Sequence, residues 1–140
     1  MATKQHRTRA ARAPQLRYIR TLACDADRLW KLLTRPELLG EWLGTTVLSD
    51  TQYGGFTVAT DAGRQHTGIV TTCEPPHYFQ ASWDDPPHPP STLLVDVVPG
   101  RQDTHLILTQ AGLRPALVGD HDRLWKRALD RLTQYVTRQG

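Results

Sequence analysis

Six histidines, His6, His66, His77, His88, His105 and His121, are the side chains of this sequence best suited to carrying a proton near neutral pH. No two of them stand at the HExxH spacing or join a cysteine cluster, so no metal site is expected. The GxSxG elbow of serine hydrolases, the P-loop and the GxGxxG fingerprint are absent from the sequence as well. His6 lies in a basic leading segment, and His77 and His88 lie among turn residues, where solvent exposure is expected. His66 and His105 fall in predicted strands and His121 near the start of a predicted helix, from which a pocket could gather an imidazole to orient a substrate or relay a proton. Asp84 and Asp85 form an acid pair beside a proline-rich stretch, a pattern that usually solvates a turn. Cys24 and Cys73 have neither CxxC spacing nor a companion base, and two reduced thiols are expected. Nothing here is a convincing catalytic constellation, and whether the chain is an enzyme stays open.

The four tryptophans, Trp30, Trp42, Trp83 and Trp125, carry more information. A buried indole still needs a partner for its N–H, which makes it suitable lining for a half-polar cavity. Trp30 is expected in the core, whereas Trp42, Trp83 and Trp125 fit either core or cavity lining.

The elements that would position these groups follow from periodicity and punctuation. Gln15 to Ala23 is rich in β-formers and predicts a first strand. Asp25 is a suitable N-cap for a helix whose apolar face is Leu29, Trp30, Leu32 and Leu33, ending at Arg35 because Pro36 disfavours helix in the residue before it. Pro36 opens a second helix with Leu38, Leu39, Trp42 and Leu43 as its stripe, closed by Gly44. Turn residues then recur at hairpin spacing and predict strands near 45–50, 55–61, 65–74, 78–83, 91–98 and 104–110. Such short connections imply an antiparallel sheet. Leu117, His121, Leu124, Trp125, Ala128, Leu129, Leu132, Tyr135 and Val136 repeat at three- and four-residue steps, an amphipathic helix of at least five turns that a sheet must cover.

Composition bounds the partners. With 140 residues, 39% hydrophobic and 22% charged, the chain has the make-up of a globular domain, and no apolar run approaches the roughly 20 residues of a spanning helix. The formal charge of +3 is local: removing Lys4, Arg7, Arg9 and Arg12 leaves residues 15–140 at −1. A solvated, disordered basic tail over 1–13 and one domain over 14–140 are expected, and no nucleic acid, since no aromatic interleaves those charges. The tail has no apolar segment behind it to make a secretory signal, so a cytoplasmic location is expected.

Four segments carry a resemblance to a known family: Leu33-Thr34-Arg35-Pro36-Glu37-Leu38 with Trp42; Gly54-Gly55 before a strand; Gly68 followed by Glu74-Pro75-Pro76 and Trp83; and Thr104 through Gly112-Leu113 with Trp125. In order and span they resemble the START-related, helix-grip superfamily called SRPBCC, in its branch named after the activator of the ninety-kilodalton heat-shock-protein ATPase. The resemblance implies an α+β, Bet v 1-like fold: a curved antiparallel sheet of six to seven strands wrapped around a long C-terminal helix, with two short helices after strand 1. It also implies a cavity between sheet and final helix, with Trp42, Phe56, His66, Trp83, Gln110, Leu117, His121 and Trp125 as candidate lining. Gln110 departs from the His that many relatives carry there. Three functions follow as expectations: a carrier or sensor of a small hydrophobic or aromatic molecule, a cyclase- or aromatase-like enzyme using the same cavity, and a chaperone-associated interaction module. A small apolar molecule is the expected partner, without cofactor, metal or membrane, and a weak homodimer stays open.

Overall fold

The computed structural model describes residues 15–60 and 63–139, so the expected basic tail, and residue 61 at the end of the strand expected over 55–61, lie outside the described residues. In chain order the elements are β1 (Gln15–Leu22), α1 (Ala26–Thr34), α2 (Pro36–Leu39), β2 (Thr45–Leu48), β3 (Gly55–Ala59), β4 (Gln65–Glu74), β5 (Tyr78–Asp85), β6 (His88–Pro99), β7 (Thr104–Ala111) and α3 (Pro115–Gln139). The strands form one seven-stranded antiparallel sheet in the order β1-β7-β6-β5-β4-β3-β2. No helix among the described residues is long and apolar enough to cross a membrane.

Local signals behave as their chemistry requires. The Asp25 carboxylate accepts the Arg28 N–H at 2.8 Å and so satisfies one of the orphan donors at the start of α1. Pro36 separates α1 from α2, which is one turn long and continues as turns through Leu43 rather than as helix to Gly44. Helix α3 begins earlier than its periodic stripe, at Pro115, and contains Gly119.

The proline-rich stretch from Asp84 to Pro90 is not the loop expected from its composition. Strand β5 runs to Asp85 and β6 starts at His88, with Asp85 still paired to His88. Proline lacks an N–H, but Pro89 and Pro90 extend past Thr92↔Ala111, the last pair with β7, so no ladder bond to that strand is lost.

Alternation decides what faces inward. Thr104, Leu106, Leu108 and Gln110 of β7, Ser91, Leu93, Val95 and Val97 of β6, and Ala81 and Trp83 of β5 are all buried. Against them pack Trp125, Ala128, Leu129, Leu132 and Val136 of α3, together with Leu29, Leu32 and Leu33 of α1. Each such leucine contributes roughly 1.5–3 kcal/mol by leaving water. At the edge of the sheet, the Tyr18 hydroxyl donates to the Asp122 carboxylate and ties β1 to α3. That bond, then Lys126, holds the Asp122 carboxyl below its ordinary value, while burial and the same neighbour push the Tyr18 phenol up.

Two outcomes are expected. Leu129→Ala, at a site with no solvent exposure, should cost about 2–5 kcal/mol through lost burial and the cavity left behind, read from the urea midpoint. Tyr18→Phe should raise the Asp122 carboxyl toward its ordinary value of about 3.9 in a carbon-13 NMR titration. Because the folded value is depressed, the linked stability is present above the unfolded value and disappears as pH falls through the folded one. The difference between parent and variant should therefore shrink below about pH 4.

Candidate functional site

Between the sheet and α3 lies a run of buried polar contacts built around two tryptophans. The Trp83 indole N–H donates to His121 Nε2 at 3.1 Å, and the Trp125 indole N–H donates to Gln110 Oε1 at 2.7 Å. Gln110 Nε2 donates to Ser91 Oγ at 2.9 Å, and that hydroxyl donates to the Trp83 carbonyl at 3.4 Å, a long contact. The two indole rings are tilted against each other with centroids 5.3 Å apart, and His66 stacks on Trp83 at 4.7 Å.

The proton positions follow from the partners. Leu117 O can only accept, so His121 Nδ1, 2.9 Å away, carries hydrogen. Trp83 N–H can only donate, so His121 Nε2 presents its lone pair, and the ring is neutral in this arrangement. Asp85 then bridges the two histidines, with Oδ1 2.8 Å from His66 Nδ1 and Oδ2 3.1 Å from His121 Nε2. The first contact is a hydrogen bond from His66; the second becomes an ion pair only when His121 takes a second proton and Trp83 gives up its acceptor. His66 Nε2 is buried without a partner among the described residues. Burial lowers His66 below the ordinary imidazole range, outweighing the opposite pull of Asp85.

One donor atom from each of His66, Asp85 and His121 lies within 4.8 Å of the other two, so these three could converge on a cation. The lone pair of His121 is already engaged by Trp83, however, and a metal there would have to break that bond.

Two clefts adjoin this network. The larger, about 410 Å³, is apolar and lies beneath α1 and α2 against β2 to β6, with Leu33, Leu39, Phe56, Val58, Phe79 and Trp83 in its wall. Gly68 shapes it: a Cβ there would stand 2.1 Å from Ser82 O and 2.6 Å from the Phe56 ring, so only glycine lets that ring lie against the sheet. Gly54, at positive φ of 78°, allows the turn at the rim, where Tyr53 is 98% exposed. The smaller cleft, about 200 Å³, runs along α3 and is lined by His66, His121, Arg64, Asp120, Arg123 and Leu43 among others.

The expected lining residues therefore divide. Phe56 and Trp83 line the apolar cavity, and His66 and His121 line the smaller cleft. Trp42, Gln110, Leu117 and Trp125 line neither. The Trp42 N–H goes to Leu32 O at 2.8 Å, Gln110 and Trp125 satisfy each other, and Leu117 contributes its carbonyl to His121. Between the sheet and α3 the indoles of Trp83 and Trp125, with internal partners, fill part of the space; the smaller cleft is the opening along α3, and the apolar cavity lies beneath α1 and α2. Asp85 and Ser91 were not among the expected residues. Ser91 shares the parity of Leu93 and Val95, and Asp85 that of Ala81 and Trp83, but a predicted strand ending at residue 83 left Asp85 in a loop. His88 starts β6 half-buried, His105 meets Thr21 Oγ1 at 2.9 Å on the outer face, and His77 is exposed.

A family model described as Activator of Hsp90 ATPase homolog 1-like protein matches residues 23–137. The chain belongs to this family. Solved structures share its helix-grip architecture. Protein MLL2253 from Mesorhizobium loti superposes with a TM-score of 0.79 at 25% identity, covering 91% of this chain and 99% of that one. CalU16 from Micromonospora echinospora gives 0.75 at 22%, covering 89% and 74%. Aha1 from Colwellia psychrerythraea, solved as a dimer, gives 0.72 at 14%, covering 88% and 96%. No curated protein matches the chain. Below 25% identity such likeness speaks to the fold alone.

Gln110→Leu should strand the Trp125 N–H and remove the donor to Ser91. A loss of about 1–3 kcal/mol in chemical denaturation is expected, with a changed tryptophan emission maximum.

Proposed function

We propose that this chain binds a small hydrophobic or aromatic molecule in the apolar cavity, as a carrier or sensor. The observation that carries the reading is the cavity itself: about 410 Å³, walled by leucine, valine and aromatic side chains, with only a few hydroxyls, such as Thr34, Thr46 and Ser49, to orient an occupant. That volume and lining are those of small-molecule sites in general. Among the described residues its wall holds no base or carboxylate that could drive a reaction on an apolar guest, and Cys73, on an exposed strand position, is the one thiol. Exposed Val47, Leu48 and Tyr53 on the edge hairpin fit an entrance to this cavity. The chaperone-associated reading rests on the family name and on nothing in the cavity.

A second reading, a proton-transferring enzyme of the cyclase or aromatase type, is supported by one specific feature. Asp85 orients His66 and leaves Nε2 as a neutral base at the smaller cleft.

The uncharged dye N-phenyl-1-naphthylamine tests the leading reading. It should bind the full chain one to one, with enhanced emission and energy transfer from tryptophan. Leu39→Trp, which adds bulk to a half-buried wall position, should weaken binding by about tenfold or more while leaving the thermal midpoint near that of the parent. Equal affinity for parent and variant would place the dye elsewhere and remove the reading.

A further inference from the structure

Three side chains that share no ligand spacing in the sequence are gathered by the fold: His66 on β4, Asp85 on β5 and His121 on α3. Both imidazoles are buried, and the carboxylate between them is mostly so. Asp85 Oδ1 stands 2.8 Å from His66 Nδ1, and Oδ2 stands 3.1 Å from His121 Nε2. Donor atoms around a tetrahedral zinc ion stand about 3.3 Å apart, because each bond is about 2.0–2.1 Å long. Two sides of the ligand triangle are therefore close to that length already. The third, within 4.8 Å, is one that side-chain rotation can close.

With Trp83 on Nε2, His121 serves structure; with that lone pair released, it has the support a metal ligand needs. Its Nδ1–H donates to Leu117 O at 2.9 Å, and such a carbonyl fixes the tautomer and orientation of a ligating imidazole. At His66 the hydrogen must pass from Nδ1 to Nε2. That nitrogen has no partner among the described residues, so receiving the hydrogen breaks no bond there. The cost is two hydrogen bonds, from His66 to Asp85 and from Trp83 to His121. Coordinate bonds from three side chains, one of them anionic, replace them. Arg64, just before β4, opposes added positive charge near His66, but its guanidinium is exposed and paired with Asp120 at 3.2 Å, where solvent screens it.

We propose that His66, Asp85 and His121 form a binding site for a divalent transition-metal ion of the zinc class. Two imidazoles and one carboxylate suit Zn2+ or Co2+ better than Mg2+ or Ca2+, which take shells of oxygen. Three protein ligands leave a coordination position open. Both histidines line the smaller cleft, from which water or a small ligand can complete the shell. The site stands independently of the apolar-ligand reading.

The test is titration of the full chain, stripped by a chelator and free of any histidine tag, with Co2+. One ion per chain should bind, with the visible absorption of low-coordinate cobalt, and Zn2+ but not Mg2+ should displace it. In proton–nitrogen NMR, Zn2+ should shift the Trp83 indole N–H and leave that of Trp42, bonded to Leu32 O, in place. Asp85→Asn keeps an acceptor for His66 and removes the charge, so the affinity for Co2+ should fall about tenfold or more. His66→Phe keeps a ring against Trp83 and should abolish the absorption. His105→Ala, on the outer face, should leave it unchanged. A chain that takes up no Co2+, an absorption that survives both site variants, or a Trp83 resonance indifferent to Zn2+ would overturn the inference and leave the apolar reading standing. Loss of the absorption in His105→Ala would place the ion on surface histidines and overturn it too.

Discussion

Two indole N–H groups sit between the sheet and α3, out of reach of water, and each must find an acceptor within the protein. They solve this in opposite directions. Trp83 reaches from β5 to His121 on the helix, and Trp125 reaches from the helix to Gln110 on β7. Ser91 on β6 joins Gln110 to the Trp83 carbonyl and brings three neighbouring strands into one chain of contacts with α3. A buried donor without a partner costs about 1–3 kcal/mol. A slip of one residue in any of these strands would turn its member of the chain outward, so the strand registers and the rotation of α3 are fixed together.

The chemistry of the site follows from that constraint. Because Trp83 occupies Nε2 of His121 and Leu117 occupies Nδ1, His121 is a structural imidazole. His66 is the one with a nitrogen to spare. Asp85 orients His66 from the adjacent strand, where the Thr67↔Asp84 pairing sets the two residues opposite each other. The result is a buried, neutral base with one free face, held beside a cleft rich in arginine. On the other side of Trp83 the wall is entirely different. Gly68 admits the Phe56 ring, the short helices supply leucines, and the cavity is apolar. A single tryptophan thus separates two environments of opposite character.

Membership in the Hsp90 ATPase activator homologue family fixes the architecture more firmly than the role. The same helix-grip frame superposes on proteins that share 14–25% of their residues with this chain. At such distances a frame is retained because its layers and connections are retained, while cavities are remade by a few side chains. The functional argument therefore stands on the two clefts and the residues between them.

Much of the frame was legible in the sequence. The N-cap at Asp25, the break at Pro36, the hairpin spacing of turn residues and the long apolar stripe of the last helix each express a local rule, and each marks an element of the fold, with the bounds of α2, β6 and α3 shifted. The inward faces were legible too, because a strand repeats every two residues and a helix every 3.6. The family resemblance offers His66, Trp83, Gln110, His121 and Trp125 among its eight candidates for a cavity lining, and these five share one network of contacts. Tertiary structure alone decided which of them touch and where the openings lie. Asp85 entered the site because β5 continues two residues past its last aromatic, into a stretch whose prolines read as a loop, and because strand pairing set it opposite His66. The cavity lies beneath the short helices because the indoles of Trp83 and Trp125 fill part of the space under α3. Residues on β4, β5 and α3 meet only through strand register and helix rotation, which are set by packing the whole core at once, and no periodicity within one element encodes them.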